Sequence, residues 1–378
     1  MTAPIIIIGS GFAAYQLVKA IRRSDNELPI HIFTVDDGSD YNKPDLSHVF
    51  SKQQSATDLV RQTGDAFADE YNITLHAYSR VEAIDTKVKT VTVAGQHYVY
   101  DKLVLATGAK AFVPEMAGNA ADRVITLNSL TDFEASQQQL HEARRVTVIG
   151  GGLIGSELAM DLASSGKQVT VVDPSPTVMA TMLPEYIALQ LEKSLRQLGI
   201  TLATGDCVSR VEDSENGIMV TLASGISFET DQVIAAAGLQ PNVGLAKQAG
   251  LVIGRGIEVD SGLSTSAPDV YALGDCAEIN GHVMAYLQPA LLSANALAKT
   301  LMGHPAELLL PPMLVKVKTP HYPIQLGGIT VKGVHKWQLD IDINGCTSKA
   351  YDITGKTLGF VVTEQHMPNA FPLLNAMR

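Results

Sequence analysis

Two stretches of the chain repeat one hydrophobic pattern. Residues 4–8 (PIIII) are a short apolar run that predicts a buried strand, and Gly9-Ser10-Gly11-Phe12-Ala13-Ala14 follows at once. Apolar positions at helical spacing then continue to about Arg23, and a second apolar run, IHIFTVD, ends at Asp36. The same order recurs later: RVTVIG, then Gly150-Gly151-Gly152-Leu153-Ile154-Gly155, a helix through about Ser165, and the strand QVTVVD ending at Asp173. Two strand–turn–helix–strand units of this kind predict an α/β chain with two nucleotide-binding folds, the second inserted into the first. The runs QVIAAAG (232–238) and VYALGD (270–275) are expected to complete the first sheet. From Pro311-Pro312 onward the pattern changes to alternation, in MLVKVKT, WQLDIDI, SKAYDI and TLGFVVTE, which predicts strands. A short helix is expected near Ala370–Met377. The predicted domains are 1–111 with 236–311, an insert at 112–235, and a small C-terminal α+β domain at 312–378.

The glycine positions give the two turns their chemistry. A tight turn between a buried strand and a helix needs one glycine for its backbone angles and a second where a pyrophosphate approaches the main chain. A third small residue lets helix and strand pack closely. Gly9, Gly11 and Ala14 fill these places in the first copy, and Gly150, Gly152 and Gly155 in the second. Phe12 and Ala13, and Leu153 and Ile154, begin the helices whose free N–H groups and positive dipole ends would face the phosphates. Asp36 and Asp173 each end the next strand, where a carboxylate accepts hydrogen bonds from a ribose. PSPTVMA follows Asp173 and offers no Lys or Arg for a 2′-phosphate, which favours NADH over NADPH.

Composition adds exclusions. The chain has 378 residues, 46% hydrophobic and 18% charged, which predicts a globular protein of two or three domains. No apolar run reaches the roughly 18 residues that span a bilayer, and MTAPIIIIGSG reads as a buried strand, without the basic start and cleavage site of a signal peptide. Cys207, Cys276 and Cys346 form no CxxC pattern and no even disulfide set, which suits a reducing cytoplasm. Cys276 is expected to be a buried structural thiol. The scattered histidines form no metal-ligand spacing; His31 and His48 are expected to be structural, and no metal site is predicted. A net charge of −11 argues against nucleic acid. Residues 312–378 run the other way, with seven Lys or Arg against four Asp or Glu. That is either chance clustering on a solvated surface or a docking face for an acidic protein. Trp337 is expected in the C-terminal core, with exposed docking as the alternative.

Four further segments carry a family resemblance: LVLATGA (103–109), AAGLQPN (236–242), TSAPDVYALGDCAE (265–278) and VKVKTP (315–320). With the two glycine turns they make six motifs in order, and over essentially its whole length the chain resembles the pyridine-nucleotide-dependent flavin reductases. That superfamily pairs an N-terminal FAD fold with an inserted NAD fold and a C-terminal domain. YNKPDLS (41–47) and VKTP (317–320) look most like the rubredoxin reductases. The resemblance implies an oxidoreductase using FAD and NADH. Electrons would pass to flavorubredoxin or another rubredoxin-type iron protein, in support of nitric oxide reduction.

The resemblance also implies roles for individual residues. Asp275 would bond the FAD ribitol and phosphate region, Ala106-Thr107-Gly108 would cross beside the cofactor, and Val81 would meet the adenine through its main chain. Lys318 would lie near the flavin N1/C2 carbonyl. Lys43, before Pro44, would lie near flavin N5 and pair with Glu157, while Gly238 would lie near the nicotinamide path. Ala14 departs from the glycine pattern but is still small. The disulfide reductases of the superfamily carry a close cysteine pair that this chain lacks, which implies electron transfer straight out of the flavin. A ferredoxin reductase or NADH oxidase of the same fold is the alternative enzyme, and a flavoprotein that responds to NADH without turnover is the alternative from another class.

Overall fold

The structure is a computed structural model that describes residues 3–377; Arg378, one of the seven C-terminal basic residues, lies outside them. The chain divides into two compact units. The first comprises Met1–Lys43, Thr57–Lys110 and Leu239–Leu310, and the second Pro44–Ala56, Ala111–Gly238 and Pro311–Arg378.

In the first unit five parallel strands stand in the order Val270–Ala272, Lys102–Leu105, Ile5–Ile8, Ile30–Phe33, Thr74–His76. Ile5–Ile8 is central and wholly buried, as a strand covered on both faces must be, and this is why it reads as a plain apolar run. The helices Phe12–Arg22 and Leu287–Leu301 pack against one another.

The second unit repeats the design. Its parallel sheet has the order Ile125–Thr126, Gln232–Ala235, Arg145–Ile149, Gln168–Asp173, Thr201–Thr204. This corrects one expectation. Gln232–Ala235 belongs to the second sheet, with Val233 opposite Thr147 and Ile234 opposite Val148. Val270–Ala272 does join the first sheet. A fully buried strand is apolar on both faces, so its residues carry no mark of which sheet they complete.

The C-terminal residues form an antiparallel sheet ordered Leu314–Val317, Ile324–Gly328, Thr357–Thr363, Gly345–Tyr351, Lys336–Asp342, with a helix at Ala370–Ala376. The alternating pattern misses Ile324–Gly328, because two glycines close that strand. Gly327 is needed there: a Cβ would come within 2.8 Å of the Phe360 ring. Phe360 and Val362 of this sheet pack with Ala370 and Leu374 of the closing helix in a core of their own, while other residues of the sheet join a larger core. Val317, Tyr322, Ile324, Leu326, Cys346 and Val361 join one apolar cluster with Leu140, Val146, Leu158 and Val171 of the second parallel sheet and its helices. Trp337 packs at the margin of that cluster. Segment 44–56 also sides with the second unit, although the sequence placed it in the first domain.

Within the first unit, His31 Nδ1 and His76 Nε2 lie 3.1 Å apart, and His76 stacks on Phe33. Burial pushes both imidazoles below their ordinary range, and His31 adds to the effect on His76. Both must therefore take up protons on unfolding at a pH where the folded forms are neutral. Stability is held above the ordinary histidine pKa of about 6.5 and is lost as pH falls toward the lowered folded values. The thermal midpoint is expected to drop between pH 7 and pH 5, with a shallower slope in His31→Gln; an equal slope in the variant contradicts this.

Candidate functional site

Each glycine turn is built by a steric limit. Gly9 follows Ile5–Ile8 with φ +111°, and a side chain there would collide with the Ala106 carbonyl oxygen of the neighbouring strand's end. Gly150 stands in the same relation to Ala236, with φ +108° and a Cβ only 2.5 Å from that carbonyl oxygen. Gly155 permits the next close contact, since its Cβ would run into the Gly150 carbonyl oxygen. Ala14, at the matching place of the first turn, is fully buried. By contrast, a Cβ on Gly11 or Gly152 would meet nothing within 4 Å.

Those two open glycines are the N-caps of the helices Phe12–Arg22 and Leu153–Ser164. Neither helix start has a side-chain cap or an acid in its first turn. An α-helix leaves its first N–H groups unsatisfied within the helix, so both turns present donors and a positive dipole end to open space. Residues and shape fit a dinucleotide pyrophosphate at each turn: the backbone is bare where it faces outward and filled where it faces inward.

The acids after each turn are held in place. Asp36 Oδ1 accepts from Thr34 Oγ1 at 2.6 Å, Ser10 Oγ at 3.0 Å and the Gly38 N–H at 3.0 Å. Asp173 Oδ2 accepts from the Gly151 N–H at 2.6 Å, and Oδ1 from the Ser175 N–H at 2.7 Å. Asp173 thus ties the strand end to its own glycine turn. An ionised carboxylate has about four acceptor sites, so each acid keeps capacity for sugar hydroxyls.

Ala106 adjoins the first turn at Gly9, and the first unit also carries Lys43, Val81, Thr107, Gly108 and Asp275. Gly274, with φ +77°, backs onto Ala13 and brings Asp275 to this end of the sheet. Lys43 Nζ lies 3.6 Å from Asp275 Oδ2. Thr107 and Asn242 clasp one another: Thr107 Oγ1 donates to the Asn242 carbonyl at 2.9 Å, and Asn242 Nδ2 donates to the Thr107 carbonyl at 2.8 Å. These two hydrogen bonds fix the Ala106–Gly108 segment, and Gly108, like Gly238 of the second unit, adopts a left-handed angle that glycine favours. Val81 is buried at the start of the strand Val81–Asp85. Cys276 is fully buried, its thiol directed at the Leu105 and Leu273 carbonyls, and burial pushes its pKa up.

In the second unit the helix Leu153–Ser164 carries two buried acids. Glu157 lies beyond the first turn and is 3% exposed. Its oxygens accept from Ser47 Oγ at 3.0 Å and from the Lys318 N–H at 2.8 Å, with His48 Nε2 at 3.7 Å. Lys318 Nζ donates to the Pro44 carbonyl at 2.7 Å. Within the first unit Lys43 faces Asp275, and within the second Glu157 holds Ser47 and the Lys318 main chain.

Ser47, Asn242 and Asp161 were missed, and Asp161 alone left a signal. It lies four residues from Glu157, and these two are the charged residues of that helix. Like charges repel at that spacing, so the pair calls for buried donors.

Similarity to known proteins agrees with this geometry. Residues 3–295 match the family model described as pyridine nucleotide-disulphide oxidoreductase. The chain belongs to that family. Residues 307–377 match a second model, the rubredoxin binding C-terminal domain. One oxidoreductase relative, from Aliivibrio fischeri and named nitric oxide reductase FlRd-NAD(+) reductase, is 54% identical over 100% of this chain and 99% of its own length. Among solved structures, the ferredoxin reductase of the CYP199A2 system from Rhodopseudomonas palustris is 26% identical, with a TM-score of 0.87 over 96% of this chain and 91% of its own. The water-forming NADH oxidase from Lactobacillus brevis shares the oxidoreductase fold, at 22% identity and a TM-score of 0.90, over 99% and 91% of the two chains.

The environment of the three thiols gives a direct check. Cys207 is exposed, whereas Cys276 and Cys346 are buried with pKa values raised by burial. A disulfide-exchange reagent should titrate one thiol per chain in the native state and three after denaturation. Fast reaction of a second thiol in the native protein would contradict the assignment of Cys276 as a structural residue.

Proposed function

We propose that this chain is an FAD-dependent NADH:flavorubredoxin reductase, delivering electrons to the rubredoxin-type iron centre of a partner that reduces nitric oxide. The observation that carries this is the conjunction in one chain of two bare glycine turns, each with its anchored acid, and a C-terminal region of the rubredoxin-binding type. The full-length likeness to nitric oxide reductase FlRd-NAD(+) reductases supports the same reading. The domains follow: 1–111 with 236–311 for FAD, 112–235 for NADH and 312–378 for the partner, with segment 44–56 carried by the second unit.

A flavin held by these residues would supply the redox chemistry, hydride acceptance from NADH and single-electron release to iron. The protein binds and orients. Gly9, Gly11, Phe12, Ala13 and Ala14, with Asp36, are assigned to the FAD pyrophosphate and ribose. Val81, Ala106, Thr107, Gly108 and Asp275 are assigned to the rest of that cofactor. Gly150, Gly152, Leu153, Ile154 and Gly155, with Asp173 and Gly238, are assigned to NADH. Lys43 with Pro44, and Lys318, are assigned to the flavin ring, where a cation stabilises added negative charge. Glu157 holds the Lys318 main chain, and so the cation's place, through a hydrogen bond from a buried carboxylate. The free, separated cysteines suit electron exit without a thiol relay and suit a reducing cytoplasm.

An acidic chain meeting an acidic iron protein needs a local positive patch. Lys332 and Lys336 are exposed at one end of the edge strand Lys336–Asp342, while Asp340 and Asp342 occupy its other end. The patch is therefore narrower than the charge count of the whole segment suggested.

Stopped-flow mixing of the flavin-loaded protein with NADH, and then with a purified rubredoxin domain, tests the function. Rapid flavin bleaching followed by reoxidation by the iron domain is expected. Bleaching without reoxidation, in the presence of fast transfer to a 2Fe–2S protein or to oxygen, overturns the partner assignment. NADH should exceed NADPH in kcat/KM by roughly tenfold or more, since Asp173 repels a 2′-phosphate; parity contradicts that role. Reversing charge in Lys332→Glu with Lys336→Glu should slow reduction of the iron domain at low salt and leave NADH-to-dye turnover intact. Unchanged partner kinetics would place the docking patch elsewhere.

A further inference from the structure

The helix Leu153–Ser164 reads LIGSELAMDLAS and buries two carboxylates a turn apart. Asp161 is 4% exposed, as enclosed as Glu157, yet it belongs to neither glycine turn. A carboxylate placed so deep must be fully supplied with donors. Asp161 Oδ2 accepts from the Phe50 N–H at 2.8 Å, and Oδ1 from the Ser51 N–H at 3.2 Å and from Ser51 Oγ. One turn earlier, Glu157 takes Ser47 Oγ and the Lys318 N–H. Ser47 belongs to the 3-10 helix Lys43–His48, whose Pro44 carbonyl receives the Lys318 ammonium.

These bonds form one chain of contacts within the second unit. Asp161 pins residues 50 and 51, Glu157 pins 47 and 318, and Pro44 holds the end of the Lys318 side chain. All of it is mounted on the helix whose first turn is the second glycine motif. We propose that Asp161 is a positioning residue for hydride transfer: it fixes segment 44–51, and through the Pro44 carbonyl the Lys318 ammonium, relative to the turn that receives NADH. The inference rests on the proposed role of Lys318 at the flavin. Asp161 touches neither cofactor in this scheme and acts only through the residues it holds.

The physical consequence separates rate from binding. The glycine turn does not depend on Asp161, so NADH affinity stays. The cation's position does depend on it, and a misplacement of about 1 Å can cost on the order of a hundredfold in rate. Asp161→Asn is nearly isosteric but turns one acceptor into an amide donor facing N–H and O–H donors.

The test is anaerobic stopped-flow reduction of the flavin-loaded protein over a range of NADH, with Asp161→Asn and Lys318→Ala beside the wild type. The limiting rate of bleaching in Asp161→Asn should fall by about tenfold or more. Its NADH dissociation constant should change less than twofold, and the resting flavin spectrum should shift in the same direction as in Lys318→Ala. A lower melting temperature with an unchanged limiting rate and spectrum overturns the proposal and leaves Asp161 a stability residue. Should Asp161→Asn fail to retain flavin, Ser51→Ala, which removes one of the three donors, carries the test. A slower limiting rate at constant affinity supports the proposal, and a wild-type rate overturns it. Lys318→Ala separates the two levels. A wild-type rate there overturns the assignment of Lys318, whereas a slow Lys318→Ala beside a wild-type Asp161→Asn overturns only the present inference.

Discussion

The contact on which the rest depends is the approach of a glycine α-carbon to the carbonyl of the adjacent strand's end, Gly9 against Ala106 and Gly150 against Ala236. No side chain fits in that space, and the positive φ at both glycines is one that only glycine adopts freely. Because the turn closes there, the following helix begins directly over the strand ends. Its first N–H groups then point outward instead of into protein. The third small residue, Ala14 or Gly155, lets that helix lie flat enough to bury its apolar face. Removing either contact would displace the helix start, and with it the donors that make the turn an anion site.

The helix after the second turn does more than present its N-terminus. One side feeds Leu158 and Leu162 into the apolar cluster shared by the second parallel sheet and the C-terminal sheet, where Val361 of the latter also packs. Its polar positions, Glu157 and Asp161, gather donors from two distant stretches of the chain. Hydrogen bonds to a charged group contribute roughly 1.5–3 kcal/mol each. Desolvating a carboxylate costs several kcal/mol. One such bond would leave the acid destabilising, whereas several bring it toward balance and fix the geometry of everything attached. That is why segment 44–56 follows this helix and not the unit on either side of it in sequence.

Charge is organised at a coarser scale. The chain is acidic as a whole, which keeps it away from polyanions, while the C-terminal stretch reverses sign. In the folded sheet the reversal is local, since the edge strand carries lysine at its start and aspartate at its end. Docking of an acidic protein on such a surface would be set by a few lysines, and so by ionic strength.

The sequence by itself determined the two strand–turn–helix–strand units, the acids that follow them and the alternating C-terminal strands. These follow from short-range rules: period, the steric demands of glycine, and the places where helix ends lack partners. It also singled out Lys43, Glu157, Lys318 and Asp275, though only by likeness to a family. Tertiary structure decided what each of these meets. Glu157 binds Ser47 and the Lys318 main chain, Lys43 faces Asp275, and Asp161, Thr107 and Asn242 become structural anchors. It also decided that Gln232–Ala235 completes the second sheet and that Ile324–Gly328 is a strand despite its glycines. The reason is the same in each case. A buried apolar strand is alike on both faces, a backbone N–H is carried by nearly every residue, and a glycine is silent about the ring that fills its space. Which partner they find depends on residues tens to more than a hundred positions away, and only the packed chain brings those together.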